Sequence, residues 1–395
     1  MKRYFTLIFT LLTCCLYLHQ ADAQTINKTI EHDGLIRQYT VYLPATYNPN
    51  VASPVVFNLH GIGSSSGEQV LYSGFSTVAD TAGCIVVFPE GTVDTMLWGE
   101  IINHWNSYFS PDVDDVGFIN LLIDQMFTDY NIDLSRIYAT GMSNGGFMSY
   151  RLACELSDRI AAIASVTGAM TLTAEDNCNP DRPVPVMQIH GTNDQVVFFD
   201  GQMDFTRPIP EIVDAWVARN GCNTIADTVA LPDIDPTDNS TVRLLSYSDC
   251  DDETEVVFYI VDNGGHTWPG TFPILMLGNT NQDFSASATV WDFFNKHTHP
   301  NPSPGVIITT NTKELAPPLE VAIAPNPFQN ELRLDFPTAL PRQLRLFDTS
   351  GRLVLTKRDI RENTLRLNTA TLTQGVYLLE LQTDQGVISY KVVKE

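Results

Sequence analysis

The residues best placed for chemistry are a serine between glycines, Gly141-Met-Ser143-Asn-Gly145. The apolar run Arg136-Ile-Tyr-Ala-Thr140 precedes it, and Gly146-Phe-Met-Ser-Tyr-Arg-Leu152 opens at helical spacing behind it. A strand–turn–helix setting is what the G-x-S-x-G nucleophile elbow requires, with the flanking glycines clearing space for a strained turn. A serine hydroxyl is a weak nucleophile and needs a base, which itself needs an orienting carboxylate. Asp194 closes His190-Gly-Thr-Asn-Asp194, and His266 sits in Asp262-Asn-Gly-Gly-His266-Thr-Trp-Pro269. Each follows an apolar run, and the order serine, acid, histidine is one in which such triads are built. An oxyanion hole is expected from Leu59-His60-Gly61-Ile62-Gly63. The donors are the amide of Asn144 and that of Ile62 or Gly61, with His60 a loop residue rather than a base. The machinery takes no cofactor.

These residues need a scaffold that presents loop ends side by side. Between Gln24 and about His299, solid apolar runs recur, among them Pro54-Val-Val-Phe-Asn-Leu59, Cys84-Ile-Val-Val-Phe88, Val184-Pro-Val-Met-Gln-Ile189 and Val256-Val-Phe-Tyr-Ile-Val261. Helical spacing separates them, as in Phe118 to Phe127 and Phe147 to Leu156. Runs apolar on both faces alternating with helices predict an α/β fold with a mostly parallel central sheet. Asp33-Gly34 between two alternating runs predicts an entry hairpin. Asp114-Asp115 reads as a helix cap. The acidic residues Asp233, Asp235, Asp238, Asp249, Asp251 and Asp252 read as a solvated loop, and no metal site is expected. Trp98, His104, Trp105, Tyr108 and Phe109 line a pocket or pack as core, and Trp268 beside His266 is the better pocket candidate; Trp105 and Trp268 are the expected substrate contacts.

The ends of the chain differ from this middle. Met1-Lys2-Arg3, an apolar run to about Leu18 and Ala21-Asp22-Ala23 predict a cleaved signal peptide over residues 1–23. No later segment is apolar enough to span a bilayer. After export, Cys84, Cys154, Cys178, Cys222 and Cys250 remain in an environment that permits disulfides. Cys84 sits in a strand-like run and is expected to be free. The other four allow three pairings, and proximity leans toward Cys154–Cys178 and Cys222–Cys250. Residues 24–298 form the catalytic domain, and the Pro-rich 299–318 a linker. Residues 319–395 carry short alternating runs that predict a small all-β sandwich. The chain holds 46 acidic against 23 basic residues, but residues 316–395 hold 9 and 10. The acidic excess therefore belongs to the middle, and it argues against nucleic acid or an anionic membrane as partner.

The tail resembles the C-terminal sorting domain of the type IX secretion system. The matching residues are Ala324-Pro-Asn-Pro-Phe328, Phe347-Asp-Thr-Ser-Gly-Arg352, Leu372-Thr-Gln-Gly-Val-Tyr377 and Lys391-Val-Val-Lys394. That resemblance implies export by the type IX machinery to the cell surface or beyond. The middle resembles the poly(3-hydroxybutyrate) depolymerase and feruloyl or acetylxylan esterase family, carbohydrate esterase family one in the broad sense. It does so through His60-Gly-Ile-Gly63, Phe88-Pro-Glu-Gly91, Val113-Asp-Asp-Val-Gly-Phe118, Gly141-Met-Ser-Asn-Gly-Gly146, His190-Gly-Thr-Asn-Asp194, Asn220-Gly-Cys222, Gly264-Gly-His-Thr-Trp-Pro-Gly270 and Trp291-Asp-Phe-Phe294. The resemblance implies an α/β-hydrolase, with Ser143, Asp194 and His266 as nucleophile, acid and base. The two short-range disulfides fit the family habit. It leaves the ester open among feruloyl, acetyl and polyhydroxybutyrate types. The alternatives are a serine peptidase of the prolyl-oligopeptidase type and a catalytically silent surface-binding protein.

Overall fold

The strands that carry the site alternate between two buried faces, and this sets the layering. In the computed structural model, Val55, Phe57 and Leu59 of β3 (Ser53–Leu59) enter one apolar cluster and Val56 the other. In β4 (Ile85–Pro89), Ile85 and Val87 face the first cluster, while Val86 and Phe88 face the second. A strand buried on both sides needs no polar face, which is why these runs read as solid apolar blocks. The structure describes residues 23–95, 101–108, 113–308, 313–314, 321–337, 339–348, 352–358, 360–383 and 386–395. Residues 1–22 of the expected signal peptide, Trp98, Phe109 and residues 349–351 of the sorting-domain resemblance lie outside them.

The chain opens with the hairpin of β1 (Gln24–His32) and β2 (Leu35–Leu43). Its turn places Asp33 and Gly34 at φ 50° and 75°, the two positive values that an Asp-Gly turn supplies. The ribbon of β5 (Thr92–Thr95) and β6 (Ile101–His104) stands outside the main sheet. The sheet continues with β7 (Ile132–Met142), β8 (Ala162–Val166), β9 (Val186–Gly191), β10 (Asp227–Ala230), β11 (Thr241–Tyr247), β12 (Val256–Asp262) and β13 (Lys313–Glu314). The strand order is β10-β11-β12-β9-β8-β7-β3-β4-β2-β1-β13. The pairings from β4 through β3, β7, β8 and β9 to β12 are all parallel, and those flanking them are antiparallel. The fold is an α/β-hydrolase with a large mixed, mostly parallel sheet.

Helices cover both faces: α1 (Ser66–Ser73), α2 (Phe75–Ala82), α3 (Asp115–Asp129), α4 (Asn144–Glu155), α5 (Leu172–Asp176), α6 (Ile209–Arg219) and α7 (Ala286–Phe294). Asp114 caps α3 by accepting from the Gly117 amide at 2.8 Å, satisfying a donor that the helix start leaves free. Its neighbour Asp115 is buried instead against Arg37 at 2.6 Å. Disulfides join Cys154 at the end of α4 to Cys178, and Cys222 after α6 to Cys250. Cys84 is free and buried, and burial pushes its thiol up to about 12. No helix among the described residues is long and apolar enough to cross a membrane.

The Pro-rich stretch after residue 298 is not a free linker at its start. The His299 amide donates to Ser135 O at 2.7 Å, Ser303 to Asp158 O at 2.8 Å and Val306 to Asp124 Oδ1 at 3.0 Å. β13 then pairs with β1. A segment poor in its own backbone partners satisfies its amides on the neighbouring surface, which composition alone does not reveal. Beyond it, strands Ala322–Ala324, Glu331–Asp335 and Thr364–Asn368 form one antiparallel sheet. Strands Leu353–Arg358, Gln343–Asp348, Gly375–Thr383 and Gly386–Lys394 form a second. Leu332, Leu334, Leu344, Leu346, Leu379 and Leu381 alternate into the core between them.

Candidate active site

Ser143 sits where β7 turns into α4, with φ 55° and ψ −121°. That is a strained value for a non-glycine residue, held because both flanks are locked. A Cβ on Gly141 would come within 2.6 Å of the Leu59 carbonyl, and one on Gly145 would collide with that same carbonyl. The glycines are thus demanded by the close pass of β3 beneath the turn. The serine amide is fixed by a bond to Val166 O at 2.9 Å.

The loops after β9 and β12 are stitched together. Thr192 N donates to Val261 O and Asn193 N to Gly264 O, each at 2.9 Å. A Cβ on Gly191 would lie 2.5 Å from the Gly264 carbonyl carbon, so this contact requires glycine. The result places His266 Nδ1 2.8 Å from Asp194 Oδ2. The other Asp194 oxygen accepts from the amides of Val196 and Val197 at 2.8 and 2.9 Å. Burial by itself would raise the Asp194 carboxyl; the His266 hydrogen bond and charge, His190 and the Val196 amide together hold it below its ordinary value. Ser143, Asp194 and His266 are all buried, at 6%, 2% and 4% exposure.

Ser143 and His266 line one cavity of about 490 Å³. Gly61 and Ile62 line it too, and a Cβ on Gly61 would lie 4.0 Å from Ser143 Oγ. His60 is a loop anchor. Its Nδ1 donates to Gly61 O at 2.7 Å and its Nε2 accepts from the Gly91 amide at 2.9 Å. Asn144 turns its side chain away from the cavity, accepting from Trp105 N at 2.7 Å and donating to Ser107 Oγ at 2.9 Å. Its backbone amide remains at the N-terminus of α4, next to Ser143.

Two expectations need correcting. Trp105 and Trp268 are fully buried and neither lines the cavity. Trp105 donates through Nε1 to the His60 carbonyl at 3.0 Å, and Trp268 donates through Nε1 to Ser287 Oγ at 3.0 Å. An indole carries one polar handle on a large apolar body, and here the handle braces the two loops that carry the site. The cavity wall is made instead by Leu71, Tyr72, Phe272, Ile274 and Leu277 on one side. On the other it is closed by Phe347, Val376, Tyr377 and Leu378 of the C-terminal sandwich. The apolar cluster Phe272-Pro-Ile-Leu-Met-Leu277 just past His266 was the available sequence signal for the first group. Nothing local in the tail marks the second.

Residues 47–206 match the family described as phospholipase/carboxylesterase, and residues 322–395 match the secretion system C-terminal sorting domain. The chain is 31% identical over 291 residues to the putative esterase NocK of Nocardia uniformis subsp. tsuyamanensis, an alignment covering 69% of this chain and 83% of that protein. It is 28% identical to the bifunctional acetylxylan esterase/xylanase XynS20E of Neocallimastix patriciarum, across 71% of this chain but only 36% of that one. A solved CE1 ferulic acid esterase from Anaeromyces mucronatus superposes with TM-score 0.43 at 19% identity, covering 70% of this chain and 90% of that structure. The sorting domain assigns the chain to type IX secretion and to an extracellular or cell-surface location. With an elbow serine, a paired acid and histidine and these relatives in hand, the chain belongs to the phospholipase/carboxylesterase family of α/β-hydrolases and is a carboxylic ester hydrolase with a C-terminal secretion-sorting domain.

Proposed function

We propose that the protein hydrolyses esters through a Ser143–His266–Asp194 triad and an acyl-enzyme. The observation that carries this reading is the 2.8 Å bond from His266 Nδ1 to a buried, charged Asp194, set beside a serine on a strained elbow in the same cavity. With Nδ1 engaged as donor, Nε2 is free to accept the Ser143 proton. Serine Oγ attacks the carbonyl carbon, and the oxyanion forms against the amide of Asn144 and that of Ile62 or Gly61. His266 then returns its proton to the leaving alcohol, and water repeats the sequence to release the acid. Among the described residues Ser143 makes no hydrogen bond to His266; in unliganded sites such contacts commonly tighten only with substrate.

The ester is of the feruloyl or acetyl polysaccharide type or a polyhydroxybutyrate-type polyester. One relative is named an acetylxylan esterase/xylanase, and the predominantly apolar cavity wall supports an uncharged acyl group. Residues 1–23 act as the export signal, 24–298 as the catalytic domain and 319–395 as the sorting domain. Purified protein assayed on a feruloyl ester, acetylated xylan, hydroxybutyrate oligomers and a proline-containing peptide tests the reading. Ester turnover in the wild type, lost by roughly three orders of magnitude or more in Ser143→Ala, is expected. Retained turnover in that variant, or cleavage of the peptide alone, overturns it.

A further inference from the structure

A second histidine stands behind the Asp194 carboxylate. His190 near the end of β9 is fully buried, and its Nε2 lies 3.4 Å from Asp194 Oδ2, the oxygen that also takes the His266 bond. Its tautomer follows from its neighbours. The Gly168 carbonyl can only accept, so the group 2.9 Å from it must be the Gln188 side-chain nitrogen. That nitrogen also faces His190 Nδ1 at 2.9 Å, which makes Nδ1 an acceptor and leaves the ring proton on Nε2. There the N–H donates to the Val197 carbonyl at 2.8 Å, with Nε2 3.4 Å from Asp194 Oδ2 but not hydrogen-bonded to it. The Tyr150 hydroxyl closes the chain by donating to Gln188 Oε1 at 2.8 Å. A buried line thus runs Tyr150–Gln188–His190–Asp194–His266, from α4 to the histidine of the proposed triad.

The titratable groups facing His190 are Asp194 on its own loop, His266 from the loop after β12 and, through Gln188, Tyr150 of α4. Burial pushes the His190 imidazole below its usual range, outweighing the pull of Asp194. A neutral ring of fixed tautomer accepts from Gln188 at Nδ1 and presents only an uncharged N–H at Nε2.

We propose that His190 is a positioning residue for the triad: its Nε2–H, bonded to Val197 O, pins the loop whose Val196 and Val197 amides hold Asp194 Oδ1, and its ring edge beside Oδ2 moderates the negative charge that His266 meets. The assignment rests on the triad reading above. A core polar residue with no such role would stabilise the loop but would leave the protonation behaviour of the site alone. An N–H dipole 3.4 Å from Oδ2 offsets part of the carboxylate's charge. Removing that dipole leaves the carboxylate's charge to His266 alone and strengthens its hold on a proton.

The test uses the full chain and three variants. His190→Phe removes the donor, His190→Gln keeps an N–H near the same place, and Gln188→Met releases the tautomer while leaving His190. For each, kcat/KM on a soluble aryl ester is followed against pH, and the low-field proton resonance of His266 Nδ1–H is recorded without substrate. In His190→Phe the acidic limb is expected to move up by roughly half a pH unit, with kcat down about ten- to a hundredfold through misplacement of the base. His190→Gln is expected to restore the wild-type limb, and Gln188→Met to move it in the direction of His190→Phe. Should His190→Phe not fold, the Gln188→Met profile decides. A limb and a resonance unmoved in a folded variant would falsify the proposal, even if kcat falls. Failure of the triad reading is distinguishable, because Ser143→Ala would then remain active whatever His190 does.

Discussion

Replacing Trp105 by phenylalanine separates a bracing role from a substrate-binding one. The ring is fully buried, and its Nε1–H is the donor to the His60 carbonyl immediately before the Gly61–Ile62 turn. Phenylalanine lacks that donor, so the buried carbonyl loses its partner, at about 1–3 kcal/mol. The smaller ring also leaves part of the indole volume empty against His60, whose ring centroid lies 5.1 Å away. That adds about 1 kcal/mol. Together these give about 3 kcal/mol, or a melting temperature lower by roughly 6–12 °C for a domain of this size. Because the loop would supply an oxyanion amide, kcat should fall by about tenfold or more on every ester. KM should hardly move, and a small and a bulky acyl ester should be affected alike, since Trp105 does not reach the cavity. The assay is a thermal melt beside steady-state kinetics on an acetyl and an aromatic acyl ester of the same alcohol. An unchanged melting temperature with KM raised only for the aromatic ester would refute the reasoning and return Trp105 to the pocket.

Two other outcomes follow from single contacts. Leu378 of the sandwich closes one side of the cavity, so Leu378→Glu sets a charge against an apolar wall and should unseat the tail. The kcat/KM for a bulky ester relative to a small one should rise by roughly tenfold, equivalent to about 1.4 kcal/mol; an unchanged ratio means that the tail does not obstruct the site. Glu255 is held below the ordinary carboxylate range chiefly by its hydrogen bond from His297 at 3.0 Å, with Lys296 adding to it against the opposing effect of burial. Its folded value is depressed, so its contribution is complete above the unfolded value of about 4.3 and is lost as pH falls through the folded one. Melting curves of Glu255→Gln between pH 3 and 7, the range taken for the scan, should be lower at neutral pH and flatter on the acid side. A wild-type slope in the variant counts against the pairing.

Local chemistry made much of this protein readable from residues alone. The elbow glycines are needed because β3 passes beneath Ser143, and that demand leaves its mark within five residues of sequence. Strands buried on both faces must be apolar throughout, so the central sheet could be read directly. The Asp-Gly hairpin and the Asp114 cap are likewise short-range facts. What lies between segments distant in sequence was not readable. Whether an indole turns toward a cavity or a carbonyl depends on which chain comes to meet it, and Trp105 and Trp268 went the second way. The Pro-rich stretch looked like a tether until surface acceptors from α3 and the start of β7 were brought to its amides.

The same division holds at the site. Sequence order and loop position pointed to Ser143, Asp194 and His266 as the candidates, and each does stand just past the end of a strand. Only the tertiary structure brought Gly191 against Gly264 and so set the 2.8 Å bond between acid and histidine. It alone placed His190 behind that acid and Phe347, Val376, Tyr377 and Leu378 in the wall of the cavity. The reason is physical: a residue type fixes which bonds a side chain can make, while the distance at which it makes them is decided by packing of chain segments that no local pattern encodes.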